Sequence, residues 1–140
     1  MVIHIDSEKS PVFFVRFQGS SSDEEVEEYL SWYLRMLEKS SREKTPFGFI
    51  IDSGSSIGLT SKQRQRMIDM DKQGRPLFLS SRSVMGVVLR NPVQRGVMTA
   101  LAWFISFPPT FKVFEAASEA TAWVQKTLTA SAAGHHPPPG

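Results

Sequence analysis

The residue types best suited to chemistry or modification fall in one loop of this 140-residue chain. An apolar, β-prone run over residues 47–51 ends in an acid, and small polar residues lead from it to a predicted helix. The candidate regulatory or ligand-binding residues of this loop are Asp52, Ser53, Ser55, Ser56 and Thr60. Ligands of open α/β sheets bind outside the carboxyl ends of the strands, and a helix N-terminus stabilises a phosphate placed beside it. The loop is therefore predicted to be a regulatory surface, at which the start of the following helix would stabilise a phosphate.

Residues able to carry out catalysis are scarce elsewhere. The chain has no cysteine, which excludes a disulfide, a thiol nucleophile and a thiolate metal site. His4 is the one histidine within the predicted domain, and a lone strand histidine is far more often structural than a general base. Residues 54–58 lack the Gly-Lys-Ser/Thr ending of a phosphate-binding loop, and no second acid lies near Asp52 in the sequence. We expect a protein without enzymatic activity, cofactor or metal.

The charge distribution is uneven, although the net charge is only +2. Residues 1–60 contain six basic and ten acidic side chains, whereas residues 61–95 contain eight basic and two acidic ones. The candidate basic surface comprises Lys62, Arg64, Arg66 and Arg95. Such a surface steers anionic partners, and nucleic acid bound through the basic helix 61–75 is one alternative function. Apart from Phe78, aromatic side chains for base stacking are missing among these charges, so the pattern does not favour nucleic acid.

An almost uniformly apolar helix is predicted over residues 93–107. The candidate interface residues on it are Met98, Leu101, Trp103, Phe104 and Phe107. A helix packed on a sheet normally keeps one face wet, so this one is either a tight core helix or is covered by something extra. A homodimer, another protein and a lipid or small apolar ligand all fit. Its longest apolar stretch, residues 97–107, is too short for a membrane span, which needs about 20 residues.

The order of predicted elements is β-β-α-β-α-β-α-β-α. The first two β-prone runs are separated by a link short enough for an antiparallel hairpin. Right-handed crossovers then place the later strands in parallel, with helices packed on the sheet. The sequence thus predicts a single α/β domain with a mostly parallel central sheet flanked by helices and an N-terminal hairpin.

Local signals predict where the first two helices begin and end. Two capping-box pairs mark the starts, Ser22 with Glu25 and Thr60 with Gln63. Apolar residues at helical spacing extend the first helix to about Glu38. The second helix is predicted to stop at Gly74, because glycine is favoured just after a helix end and Pro76 follows closely.

One domain is predicted over residues 1–128, followed by a disordered tail of small residues, proline and histidine over residues 129–140. The N-terminus has no basic region followed by a long apolar stretch, so it does not look like a secretory signal. We expect a cytoplasmic protein.

The chain resembles the STAS superfamily, in particular small bacterial proteins similar to anti-sigma factor antagonists such as SpoIIAA and to lipid-carrying CRAL-TRIO domains. The resemblance covers about residues 2–128. It rests on the element order and on four short patterns: Phe17-x-Gly19 before the acidic first helix, Phe49-Ile50-Ile51-Asp52, Val113-Phe114-Glu115, and Ala120-x-Ala122-Trp123-Val124. Residues 52–58 also match the Asp-Ser-Ser-Gly-Leu-Gly motif of antagonists in part.

The resemblance implies a STAS-like fold used either as a regulatory interaction module or as a carrier. The first hypothesis is a non-enzymatic signalling module that binds another protein of a bacterial pathway, as a possible homodimer, with phosphorylation at the loop after the central strand. The second is a carrier domain for a small apolar or lipid ligand, with residues 93–107 as the lid of its pocket.

Overall fold

The computed structural model describes residues 2–9, 11–18, 22–53, 60–93, 95–96, 100 and 109–132. Its strands are β1 (Val2–Asp6), β2 (Val12–Gln18), β3 (Gly48–Asp52), β4 (Val84–Val88) and β5 (Phe111–Phe114). Its helices, within that part of the chain, are α1 (Asp23–Glu43), α2 (Ser61–Ser80) and α3 (Ala117–Ala132). The predicted α/β class is confirmed.

The five strands form one sheet in the order β1-β2-β3-β4-β5. The predicted N-terminal hairpin is present, since β1 pairs antiparallel with β2. The pairs β2–β3, β3–β4 and β4–β5 are parallel. β3 is the central strand and all five of its residues are buried, as expected for a strand covered on both faces.

Two apolar layers cover the sheet. On one face, α1 and α2 bury an aromatic-rich cluster that includes Phe13, Tyr29, Leu37 and Phe49. On the other face, α3 packs against β3, β4 and β5 through a smaller cluster around Ile50 and Val124. β3 contributes Phe49 and Ile51 to the first cluster and Ile50 to the second, so the central strand is held by packing on both faces.

Two strand glycines let α3 approach the sheet closely. A Cβ at Gly48 would lie 2.8 Å from Val124 Cγ1, and a Cβ at Gly86 would lie 3.0 Å from Val124 Cγ2. A side chain at either position would therefore push the helix away from the sheet. These glycines therefore determine how closely α3 packs against the sheet.

Both predicted capping boxes are present. The Ser22 hydroxyl accepts from Glu25 N at 3.1 Å, and the Thr60 hydroxyl accepts from Gln63 N at 3.1 Å. α1 runs five residues past its expected end at Glu38. It ends at Lys44, whose φ of 53° places it in the left-handed region that closes many helices.

The predicted end of the second helix at Gly74 is wrong, because α2 continues through Gly74 and Pro76 to Ser80. Gly74 is buried against α1, where a Cβ would lie 3.2 Å from Leu37 Cδ1. The glycine therefore serves close packing between two helices and does not terminate one. Tertiary contact overrides the local stop signal here.

The C-terminal helix is also longer than predicted. α3 extends to Ala132 and Ser131 is buried, so residues 129–132 are helical and do not belong to the predicted tail. Residues 133–140 lie outside the described part of the chain. In the predicted helix 93–107 the described residues 93, 95, 96 and 100 are helical, and Arg95 N donates to Asn91 O at 3.2 Å.

Candidate interaction site at the carboxyl rim

Asp52 and Arg90 form an ion pair at the carboxyl ends of the two neighbouring strands β3 and β4. Arg90 donates from Nη2 to Asp52 Oδ2 at 2.9 Å. The Asp52 side chain is only 2% exposed, whereas the Arg90 side chain is 48% exposed. A buried carboxylate is thus paired with an arginine about half of whose side chain is exposed to solvent.

The hydrogen bond to Asp52 raises the pKa of Arg90 above its already high value. The guanidinium is consequently charged at every physiological pH. The arrangement can bind an anionic group, such as a carboxylate or a phosphate, in the forked geometry that arginine offers.

Two of the predicted loop hydroxyls have structural hydrogen bonds. Ser53 donates from both its backbone N and its Oγ to Val88 O, at 3.2 and 2.8 Å. Thr60 caps α2. Ser53 therefore extends the hydrogen bonding between β3 and β4 by one residue beyond the last pair of the two strands. Ser55 and Ser56 lie outside the described residues.

A second ion pair lies at the same rim. Arg95 is 3.5 Å from the carboxylate of Glu115, which follows β5, and it also donates to Leu89 O at 3.4 Å. The Glu115 side chain is 76% exposed and that of Arg95 is 38% exposed. The carboxyl ends of β3, β4 and β5 thus carry alternating charges, and we define Asp52, Arg90, Arg95 and Glu115 as the rim surface.

The other predicted basic residues are largely engaged within the domain. Lys62 lies 3.2 Å from Asp23 Oδ2. Arg66 donates from two nitrogens to both carboxylate oxygens of Glu27, at 2.5 and 3.0 Å. These bonds from Lys62 and Arg66 are the largest contributions that lower the pKa values of Asp23 and Glu27. They join α1 to α2, so the structure does not bring the predicted basic surface together as one free patch.

Arg64 is also engaged within the domain, since it donates to Ser61 Oγ at 3.0 Å.

Within the described residues, no three histidine, aspartate or glutamate side chains come together where they could hold a metal ion. The predicted interface residues Met98, Leu101, Trp103, Phe104 and Phe107 all lie outside the described part of the chain.

Arg90 is the residue that sequence reasoning missed. It stands two residues after β4, much as Asp52 stands at the end of β3, and the two strands are parallel neighbours. Consecutive crossovers place neighbouring strands in parallel, so the carboxyl ends of β3 and β4, with Asp52 and Arg90, are expected side by side.

No protein-family model matches the chain, and no curated protein matches it in sequence. Among solved structures, it is similar to an uncharacterized protein of the DUF3478 family from Shewanella loihica, described as having a SpoIIAA-like fold. The TM-score is 0.61 with 18% sequence identity, over 88% of this chain and 92% of the other. The STAS-like resemblance inferred from the sequence is thus confirmed at the level of the fold.

None of the helices in the described part of the chain combines the length and the hydropathy that a bilayer span requires.

Proposed function

We propose that this chain is a non-enzymatic, STAS-like regulatory module that binds another protein of a bacterial signalling pathway through the rim surface. One observation carries the proposal, namely that buried Asp52 is paired with Arg90, whose side chain is half exposed, at the carboxyl end of the central strand. The expected partner group is an acidic side chain or a phosphate.

Preorganisation is the physical reason that this pair suits binding. A free arginine side chain loses about 2 kcal/mol of rotamer entropy when it is immobilised, and Asp52 reduces that cost before a partner arrives. Arginines are also enriched among the residues that dominate protein interfaces. The pair therefore offers a fixed cation at the carboxyl ends of the strands, flanked by Arg95 and Glu115.

Phosphorylation in the adjoining loop would regulate this surface by adding negative charge near Arg90. Ser53 is the less suitable acceptor, because a phosphate on its Oγ would replace the hydrogen bond to Val88 O. The hypothesis therefore rests on Ser55 and Ser56, and it stays a prediction from the sequence.

Affinity capture from the native cell tests the proposal with matched pairs of variants. Arg90→Ala and Arg90→Gln alter the rim surface, whereas Arg42→Ala and Arg42→Gln make the same changes at an exposed position near the end of α1. We expect one or more proteins to be captured by the wild type and both control variants and lost with both rim variants, all five chains being folded by circular dichroism. Capture of the same proteins by all five chains would overturn the proposal.

Two further measurements separate the alternatives. A small apolar mass that co-purifies in native mass spectrometry would favour the carrier function. Salt-dependent retention on DNA at low ionic strength would favour nucleic-acid binding, a function that the internal ion pairs of Lys62 and Arg66 do not support.

A further inference from the structure

An open groove of about 720 Å³ lies between β1 and α1, and its lining includes none of the rim residues. Ile3 and Ile5 line its strand side, and Tyr29 and Trp32 line its helix side. Ile5 is a large apolar residue that is 39% exposed. Trp32 packs edge-on to Phe13 and Phe49 beneath it, so the floor of this β1–α1 groove is part of the core.

The strand that borders the groove is an edge strand. Among the described residues β1 pairs with β2 alone, so the backbone groups on its outer edge are available for further pairing. The register places Ile3 opposite Phe17 and Ile5 opposite Val15. Both isoleucines therefore face α1, and a strand added to β1 would direct alternate side chains into the groove.

The charges around the groove favour a basic occupant. Three glutamates and one arginine line it. Glu25 belongs to the capping box of α1, and Glu27 is paired with Arg66. Glu28 is exposed and has no ion-pair partner in the part of the chain that the structure describes. A lysine or arginine of a bound segment would provide an ion-pair partner for Glu28.

We propose that the β1–α1 groove binds an extended segment of a partner protein by strand addition, with apolar side chains facing Ile3 and Ile5 and a basic side chain facing Glu28. The five residues of β1 span about 16 Å, which sets the length of the segment at about four to seven residues. A small apolar ligand would leave the backbone edge of β1 unpaired, whereas a strand pairs it. The inference is independent of the rim surface.

Synthetic peptides test the inference directly. The probes are acetyl-Lys-Thr-Val-Thr-Ile-Thr-Val-amide and its reversed sequence, so that either strand direction is sampled. Control peptides carry Glu in place of Lys. We expect one lysine peptide to shift the backbone amide resonances of residues 2–6 and to bind about fivefold tighter than its glutamate counterpart, the range of a partly exposed charge pair.

Two substitutions make the result specific to the groove. Glu28→Lys is expected to reverse the preference, so that the glutamate peptide binds more tightly. Ile5→Lys is expected to abolish binding, whereas Leu79→Lys, at a 50% exposed apolar position near the end of α2, is expected to preserve it. Equal affinity for the two charge types, or binding that survives Ile5→Lys, would overturn the inference. So would a wild-type dimer that Ile5→Lys dissociates, because the occupant would then be a second copy of this chain.

Discussion

The guanidinium of Arg90 lies 2.9 Å from the carboxylate of Asp52 and joins the segment after β4 to the last residue of β3. The acid is buried and the base is half exposed. This asymmetry distinguishes the pair from the surface ion pairs of α1 and α2, in which both partners are substantially exposed. Asp52 therefore positions an arginine whose side chain is half exposed to solvent.

A double-mutant cycle should show that the pair is coupled. Asp52→Asn and Arg90→Gln each remove one charge while keeping a polar side chain, and hydrogen bonds to charged groups contribute about 1.5–3 kcal/mol. We expect the two changes to be non-additive by about that amount in the free energy of unfolding, measured in urea. Additivity within about 0.5 kcal/mol, the behaviour of independent sites, would show that the two residues do not stabilise each other.

Gly48→Ala should destabilise the domain, because the added methyl would lie 2.8 Å from Val124 Cγ1. Overpacking of this kind costs about 1–3 kcal/mol. Chemical denaturation of Gly48→Ala, Val124→Ala and the double variant measures the effect, and the double variant is expected to be less destabilised than the two single changes added together. Gly96→Ala is the control, since a Cβ there meets nothing within 4 Å; equal effects of the two glycine substitutions would refute the role of Gly48.

Pro76→Ala should stabilise the protein. Pro76 is exposed and lies inside α2, where it cannot donate the helical hydrogen bond to the carbonyl of Lys72. A proline inside a helix destabilises it by about 3 kcal/mol, and alanine would restore the missing donor. Part of this gain is lost because alanine also gives the unfolded chain more conformational freedom. We expect the free energy of unfolding to rise by about 1–2 kcal/mol, with Gln73→Ala as a near-neutral control on the same helix. A loss of stability would mean that the proline fits a bend that the fold requires.

The tyrosines predict how stability changes at alkaline pH. The chain has two, and burial raises the pKa of Tyr29 above its usual value of 10.0 and that of Tyr33 well above it. In the unfolded chain both phenols ionise near pH 10. The stabilisation is therefore complete below about pH 10 and is lost as the pH rises further, since the unfolded state then releases protons that the folded state retains.

An absorbance titration checks this expectation. Phenolate should be absent from the folded protein at the pH where the urea-denatured chain is half ionised, and it should appear together with alkaline unfolding. Tyr29→Phe should move the alkaline unfolding midpoint to higher pH. Phenolate formation near pH 10 without unfolding would contradict the assigned burial.

Much of the fold was predictable because its signals are local. The capping hydroxyls of Ser22 and Thr60 and the unbroken apolar run of β3 depend only on neighbouring residues, and all three predictions are confirmed. The prediction for Gly74 was wrong because this position must be small to admit Leu37, which belongs to another helix. A local rule cannot distinguish a glycine that ends a helix from one that admits a neighbour.

The candidate site was less predictable for the same reason. Asp52 was found from its place at the end of a strand, but Arg90 becomes visible only when β4 is aligned beside β3. Lys62 and Arg66 looked like a free basic surface until the packing of α1 against α2 placed Asp23 and Glu27 opposite them. Their charges are partly neutralised by contacts across about 40 residues of sequence.

Site-specific photocrosslinking in the native cell tests the central claim most directly, namely that the carboxyl rim is the partner-binding surface. A benzoylphenylalanine at Glu115, which is 76% exposed, probes the rim, and the same residue at Glu43, exposed at the end of α1, is the control. We expect a discrete crosslinked protein from Glu115 that disappears with Arg90→Ala and is absent from Glu43. The same crosslinks from both positions, or crosslinks from Glu43 alone, would contradict it.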